Sequence, residues 1–127
     1  MKQAKTSKAW MKEHVNDFFV KQAKKDGYRS RAAYKLLEIA TRDHILKPGM
    51  IVVDLGAAPG SWSQVVSHQV GNNGKVIALD ILDMQPLSGV TFIQNDFREE
   101  CAVHELKKHL DDQHPDLVIS DMSPNIS

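Results

Sequence analysis

The segment Ile51-Val-Val-Asp-Leu-Gly-Ala-Ala-Pro-Gly-Ser-Trp62 constrains the fold more than any other part of the chain. A short apolar run from Ile51 meets an acid, Asp54, and then a turn punctuated by Gly56 and Gly60 before helix-forming residues resume. Strand, glycine turn and helix in that order form the layout of a nucleotide-cofactor loop, in which glycine lets backbone approach a ligand that a Cβ would block. A dinucleotide loop carries G-x-G-x-x-G and aims a helix N-terminus at a pyrophosphate. Here the spacing is G-x-x-x-G, with Ala57, Ala58 and Pro59 between and no third glycine. S-adenosylmethionine has no phosphate, but it has an amino-acid end and a cationic sulfonium, and an acid such as Asp54 beside the loop suits it better. The loop therefore predicts an S-adenosylmethionine site and argues against a nicotinamide-dependent oxidoreductase.

The rest of the chain fits a sheet around that loop. Apolar runs at Ile51–Asp54, Val76–Asp80, Val90–Gln94 and Leu117–Ser120 predict four strands, and helical spacing predicts helices at Ser61–Val70 and Glu99–Leu110. Continuous rather than alternating apolar strands, interleaved with helices, imply an α/β fold with a parallel sheet covered on both faces. Ile81–Gly89 is broken by Pro86 and Gly89, so at most one helical turn is expected there. Ahead of the sheet, residues 8–25 predict a helix with Trp10, Val15, Phe18, Phe19 and Ala23 as a partial apolar stripe. Asp26-Gly27 breaks it, and a second helix begins near Ser30 and ends before Lys47-Pro48-Gly49. Residues 1–47 read as a basic helical extension continuous with the domain, and 48–127 as the first part of the cofactor-binding domain.

Each strand delivers an acid to the same edge: Asp54, Asp80, Asp96 just past the third strand, and Asp121 after the fourth. In an open parallel sheet that edge, at the carboxyl ends of the strands, is where ligands bind. Asp80 lies about where an acid grips ribose hydroxyls in related folds, with Ile81 beside it. Asp96 can accept a hydrogen bond from an adenine amino group with Phe97 against the ring. The plainer reading of that pair is a helix N-cap beside a core aromatic. With Gly56, Ala57, Ala58, Pro59, Gly60 and Trp62, these residues make the expected cofactor set.

Charge adds a partner. The net charge is zero, yet residues 1–35 carry a balance of +7 and the remainder −7. A basic arm on an acidic body suggests a polyanion, and Lys5, Lys8, Lys12, Lys21, Lys24, Lys25, Arg29 and Arg31 are expected to line an approach to RNA phosphates. A merely solvated helix face is the simpler alternative. The single cysteine, Cys101, excludes an internal disulfide and a cysteine-based zinc site, and beside Ala102 and Val103 it reads as a buried thiol. Six histidines lack ligand spacing, so no metal is expected. Charges throughout the first twenty residues and the lack of a long apolar run predict no signal peptide, no membrane span and a cytoplasmic location.

Four segments occur in order: Arg29-Ser-Arg-Ala-Ala-Tyr-Lys-Leu-Leu-Glu-Ile39, Val53-Asp-Leu-Gly-Ala-Ala-Pro-Gly-Ser-Trp-Ser-Gln64, Asn95-Asp-Phe-Arg98 and Ser120-Asp-Met-Ser-Pro-Asn125. Together they closely resemble the FtsJ (RrmJ) family of ribosomal RNA ribose 2′-O-methyltransferases, over essentially the whole chain. The resemblance implies a Rossmann-like methyltransferase fold and methylation of a uridine 2′-OH in large-subunit (23S) ribosomal RNA. It also implies catalytic roles for Lys35 and Asp121, which match the first lysine and the aspartate of the family's Lys-Asp-Lys-Glu set. Chemistry explains the need: a ribose hydroxyl must be oriented and deprotonated to attack in line, and a lysine with its pKa lowered by burial or nearby cations, steadied by a carboxylate, can do this.

The family's second lysine and glutamate have no counterpart before Ser127, so the expected fold is truncated after its fourth strand. Two expectations follow. The chain is either the amino-terminal part of an RNA ribose methyltransferase or a catalytically incomplete module binding S-adenosylmethionine and RNA. The apolar run Leu117-Val-Ile119 should form an exposed edge that favours self-association. An amino-directed base methyltransferase is disfavoured, because Asp121-Met-Ser-Pro-Asn125 lacks an aromatic to stack on the base.

Overall fold

The computed structural model describes residues 7–121. The elements run α1 (Ser7–Asp26), α2 (Ala32–Asp43), β1 (Ile51–Leu55), α3 (Ser61–Val70), β2 (Lys75–Asp80), β3 (Val90–Gln94), α4 (Glu100–Leu110) and β4 (Leu117–Ser120). The four strands form one parallel sheet in the order β3-β2-β1-β4. The chain thus winds outward from β1 to β3 and then returns to the other side of β1. That reversal leaves a crevice at the carboxyl ends of β1 and β4, where such sheets bind ligands.

Strand periodicity sorts the core into two layers. Val52 and Val76 pair across β1 and β2 and, with Ile119 of β4, meet Trp62, Val65, Val66 and Val70 of α3 and Ala33 and Leu36 of α2. On the opposite face Val53, Ile77, Leu79 and Ile93 meet Leu110 and Leu106 of α4. The entry to β1 is tied to the entry to β4 by a reciprocal pair. Ile51 N–H donates to the Asp116 carboxylate, and Asp116 N–H donates to the Ile51 carbonyl, both at 2.7 Å.

The sheet and helices sit where the sequence predicts them, within a residue or two at their ends, and Ile81–Gly89 forms no helix. One expectation fails. Cys101 is exposed, because the sheet-facing positions of α4 are Ala102, Leu106 and Leu110, four residues apart, which turns Cys101 to the side. The partial apolar stripe of α1 stays largely exposed. Trp10, Val15 and Phe18 are exposed, and only Ala23, at the carboxyl end where the chain turns back, is buried. That end is held by Tyr34, whose hydroxyl donates to Asp26 at 2.5 Å, and by Phe19 packed on the Tyr34 ring. Among the described residues, no helix is long and apolar enough to cross a membrane.

Candidate cofactor and catalytic site

The cofactor loop is built by hydrogen bonds to the strand beside it. As β1 ends, the Gly56 and Ala57 amides both donate to the Leu79 carbonyl of β2, at 2.8 and 3.0 Å. Ala58 N–H donates to Asp80 Oδ2 at 2.8 Å, and α3 begins when Gln64 N–H reaches back to the Gly60 carbonyl at 2.9 Å. Gly60 sits at φ 111°, where a side chain is strained. Its missing Cβ would point at Leu87, at 3.0 Å, and at Arg29 Nη1, at 3.1 Å. This glycine thus allows the loop to pack against the 81–89 segment.

Two adjoining hollows open on the loop. A cleft of about 400 Å³ is lined by Gly56, Asp80, Ile81, Leu82, Asp96, Phe97 and Arg98. A narrow cavity of about 30 Å³ lies on the other side of Gly56, where Asp54, Ala57, Ala58, Pro59, Trp62 and Asp121 meet Ser30 and Ser61. All the residues predicted to hold the cofactor face one or the other except Gly60. The cleft has a carboxylate at each end, Asp80 and Asp96, with apolar Ile81 and Phe97 between. Asp80 uses one lone pair per oxygen on protein, accepting from Ala58 and Leu82 amides, so each oxygen retains capacity for a hydroxyl. These donors and acceptors fit a nucleoside with a polar ribose and a flat base. Asp96 is gripped by Arg98 through its guanidinium and backbone N–H, which holds its carboxyl down at about 2. It does not cap α4, whose N-cap is Glu99.

Asp54 is 1% exposed at the floor of the narrow cavity. Burial pushes its carboxyl up to about 6; the hydrogen bond from Ser63 Oγ, at 2.8 Å, works against that, while nearby Asp121 and Asp80 add to it. A buried acid held ready on one side and open on the other suits a cationic ligand group. Trp62 combines two jobs: its ring is core, and its indole N–H donates to the Ala32 carbonyl at 2.7 Å, fixing α2 against α3.

Asp121, which follows β4, lines that cavity, and Lys35 of α2 approaches it, Nζ to Oδ1 at 3.9 Å. The Lys35 side chain is 68% exposed, so the burial expected to activate it is not supplied by the described residues. Arg29 departs furthest from its expected place. Instead of facing solvent as a phosphate contact, its guanidinium donates to the carbonyls of Pro59, Gln85 and Pro86. Arg31 is exposed and donates to Asn16, while Lys8, Lys12, Lys21, Lys24 and Lys25 are exposed along α1; Lys5 lies outside the described residues. Among the described residues no group of three or more His, Cys, Asp or Glu is placed to hold a metal. Sequence reasoning missed Ser63 as the partner of Asp54 and did not foresee the carbonyl partners of Arg29, since neither sits in a spacing that announces its partner.

A family model for FtsJ-like methyltransferases matches residues 28–127, which include the loop, all four strands and both members of the Lys35–Asp121 pair. The chain belongs to the FtsJ-like methyltransferase family. It is 70% identical over 127 residues to ribosomal RNA large subunit methyltransferase E of Nitrosospira multiformis and 64% identical to the protein of that name from Nitrosomonas eutropha. In both cases all of this chain is covered, and it spans 62% of the relative's length. A crystal structure described as a ribosomal RNA methyltransferase of Plasmodium falciparum superposes with a TM-score of 0.71 at 37% identity, covering 79% of this chain and 59% of that one. The four-stranded parallel sheet is thus the first part of a Rossmann-like methyltransferase fold.

Proposed function

We propose that this chain supplies the cofactor pocket and half of the catalytic set of an enzyme that methylates a uridine ribose 2′-OH in large-subunit (23S) ribosomal RNA, with S-adenosylmethionine as donor and the cytoplasm as its location. The observation that carries this reading is the meeting of Lys35 with Asp121, from separate elements, where Asp121 lines the same cavity as Asp54. S-adenosylmethionine, when bound, supplies a methyl group on a positively charged sulfur. Asp80 would hold the ribose hydroxyls, Asp96 and Phe97 the adenine, and Asp54 with the Gly56–Gly60 loop the amino-acid end. Asp121 holds Lys35 Nζ in place, and Lys35 orients the substrate hydroxyl and takes its proton. Exposed in the chain alone, Lys35 loses solvent when RNA covers it, and desolvation disfavours an ammonium. The exposed lysines of α1 hold the phosphates and position the RNA without reading its sequence.

A second reading is favoured by one observation: Lys35 is 68% exposed and 3.9 Å from Asp121, so the described residues do not supply the burial that would activate it. On that reading the chain binds cofactor and RNA without turning over. Calorimetric titration with S-adenosylmethionine, run beside transfer of labelled methyl to undermethylated large ribosomal subunits, separates the two. Binding with transfer, lost by about a hundredfold or more in Lys35→Ala and Asp121→Ala, supports the enzyme. Binding without transfer supports the module, and no binding defeats both.

A further inference from the structure

Arg29 belongs by sequence to the basic segment that begins the chain, yet none of its resolved hydrogen bonds faces a substrate. Its Nη1 donates to the Pro59 carbonyl at 2.9 Å and to the Gln85 carbonyl, and its Nη2 donates to the Pro86 carbonyl at 2.8 Å. Its backbone N–H donates to Gln64 Oε1 at 2.8 Å, and Gln64 Nε2 returns a bond to the Gly27 carbonyl at 3.1 Å. A guanidinium with three backbone acceptors drawn from two loops is a strut, and its planar fork makes it one that lysine does not reproduce. One of those loops is the cofactor loop. The other follows Asp80 and Ile81, which line the cleft together with Gly56 of the cofactor loop.

The same two segments are joined a second time, by Ala58 N–H donating to Asp80 Oδ2. Arg29 pins the loop from the outside at Pro59, and Asp80 pins it from the inside at Ala58. Gly60 completes the arrangement, since a Cβ there would press on Leu87 and on the guanidinium itself. We infer that Arg29 is a positioning residue for the cofactor: it fixes the cofactor loop against the segment that follows Asp80 and Ile81, and takes no part in holding RNA phosphates. This rests on the cofactor assignment above. It places one residue of the basic arm in the cofactor's machinery, so the segment that meets RNA and the loop that meets the cofactor share a rigid connection.

Arg29→Lys keeps the charge and loses the fork; Arg29→Met removes both. S-adenosylmethionine affinity is measured by calorimetry, amide hydrogen exchange is followed at Ala57 and Ala58 without ligand, and binding of a uridine oligonucleotide is measured across a salt series. Both variants should bind the cofactor at least about tenfold more weakly and exchange faster at the loop amides, with core-strand exchange unchanged. The salt slope of oligonucleotide binding should stay that of the unmodified protein for Arg29→Met, whereas a lost phosphate contact lowers the slope by about one. Unaltered cofactor affinity in Arg29→Lys, or a lowered slope in Arg29→Met, overturns the inference. So does uniformly faster exchange through the core, which marks a general fold contribution. Should Arg29→Met not fold, Arg29→Lys alone decides through affinity and exchange. Failure of the unmodified protein to bind S-adenosylmethionine defeats the cofactor assignment instead, and the ligand-free exchange still reports on the strut.

Discussion

Asp54 shows how a single residue serves the site at the expense of the fold. Its carboxyl is driven from the ordinary 3.8 up to about 6, first by burial, and the folded protein therefore binds that proton more tightly than the unfolded chain. The contribution of Asp54 to stability is fully present below about pH 4 and is lost as pH rises to about 6, where an ionised acid must be kept buried. Asp54→Asn keeps the shape and a partner for Ser63 while removing that cost. The variant should equal the unmodified protein in stability near pH 4, gain on it through the interval to pH 6, and be more stable by about 1–3 kcal/mol above it. Its cofactor affinity should fall. Denaturant melts of both proteins between pH 4 and 8 check this, and a stability difference that does not vary with pH would contradict it.

At the scale of elements, α2 and α3 are the pair that carries the site. Trp62 opens α3 two residues after Gly60 and reaches across to the Ala32 carbonyl at the start of α2, while Ser30 and Ser61 share a hydrogen bond at 2.7 Å. These contacts fix the first turn of α2, and Lys35 is one turn further along. Trp62→Phe keeps most of the buried ring and deletes the indole donor, leaving the Ala32 carbonyl without it. A loss of about 1–2 kcal/mol is expected in a chemical melt, together with reduced methyl transfer from a displaced Lys35. Retention of full stability would show that the bond is replaced by water. The partial apolar stripe of α1 stays largely exposed among the described residues. Spacing reports which side chains share a helix face, but only a packed neighbour makes that face a core.

For the whole molecule, the informative feature is the outer position of β4 among the described residues. Val118 is 53% exposed and lines an apolar groove of about 240 Å³ with Val53, Leu55, Phe97 and Val103. An outer strand with an exposed apolar side chain invites another strand. In isolation the chain should sediment as a concentration-dependent dimer or larger species, and Val118→Lys should shift it toward monomer. A monodisperse monomer across micromolar concentrations would count against this.

The parallel sheet, the strand-to-helix loop and the acids at its edge were legible in the sequence because each follows from local pattern: apolar period, glycine position and the residue that ends a strand. The family resemblance added Lys35 and Asp121, which no local pattern joins across 85 intervening positions. What the order of residues left undecided was which partners each polar group would meet. Arg29 looked like its basic neighbours and became a strut. Cys101 looked buried and faced solvent, while Ser63 looked ordinary and came to hold the buried acid. Charge, period and turn chemistry are properties of neighbours in the chain, so sequence determines them. Hydrogen-bond partners and burial depend on which distant segments the sheet brings together, and only the tertiary structure decides that.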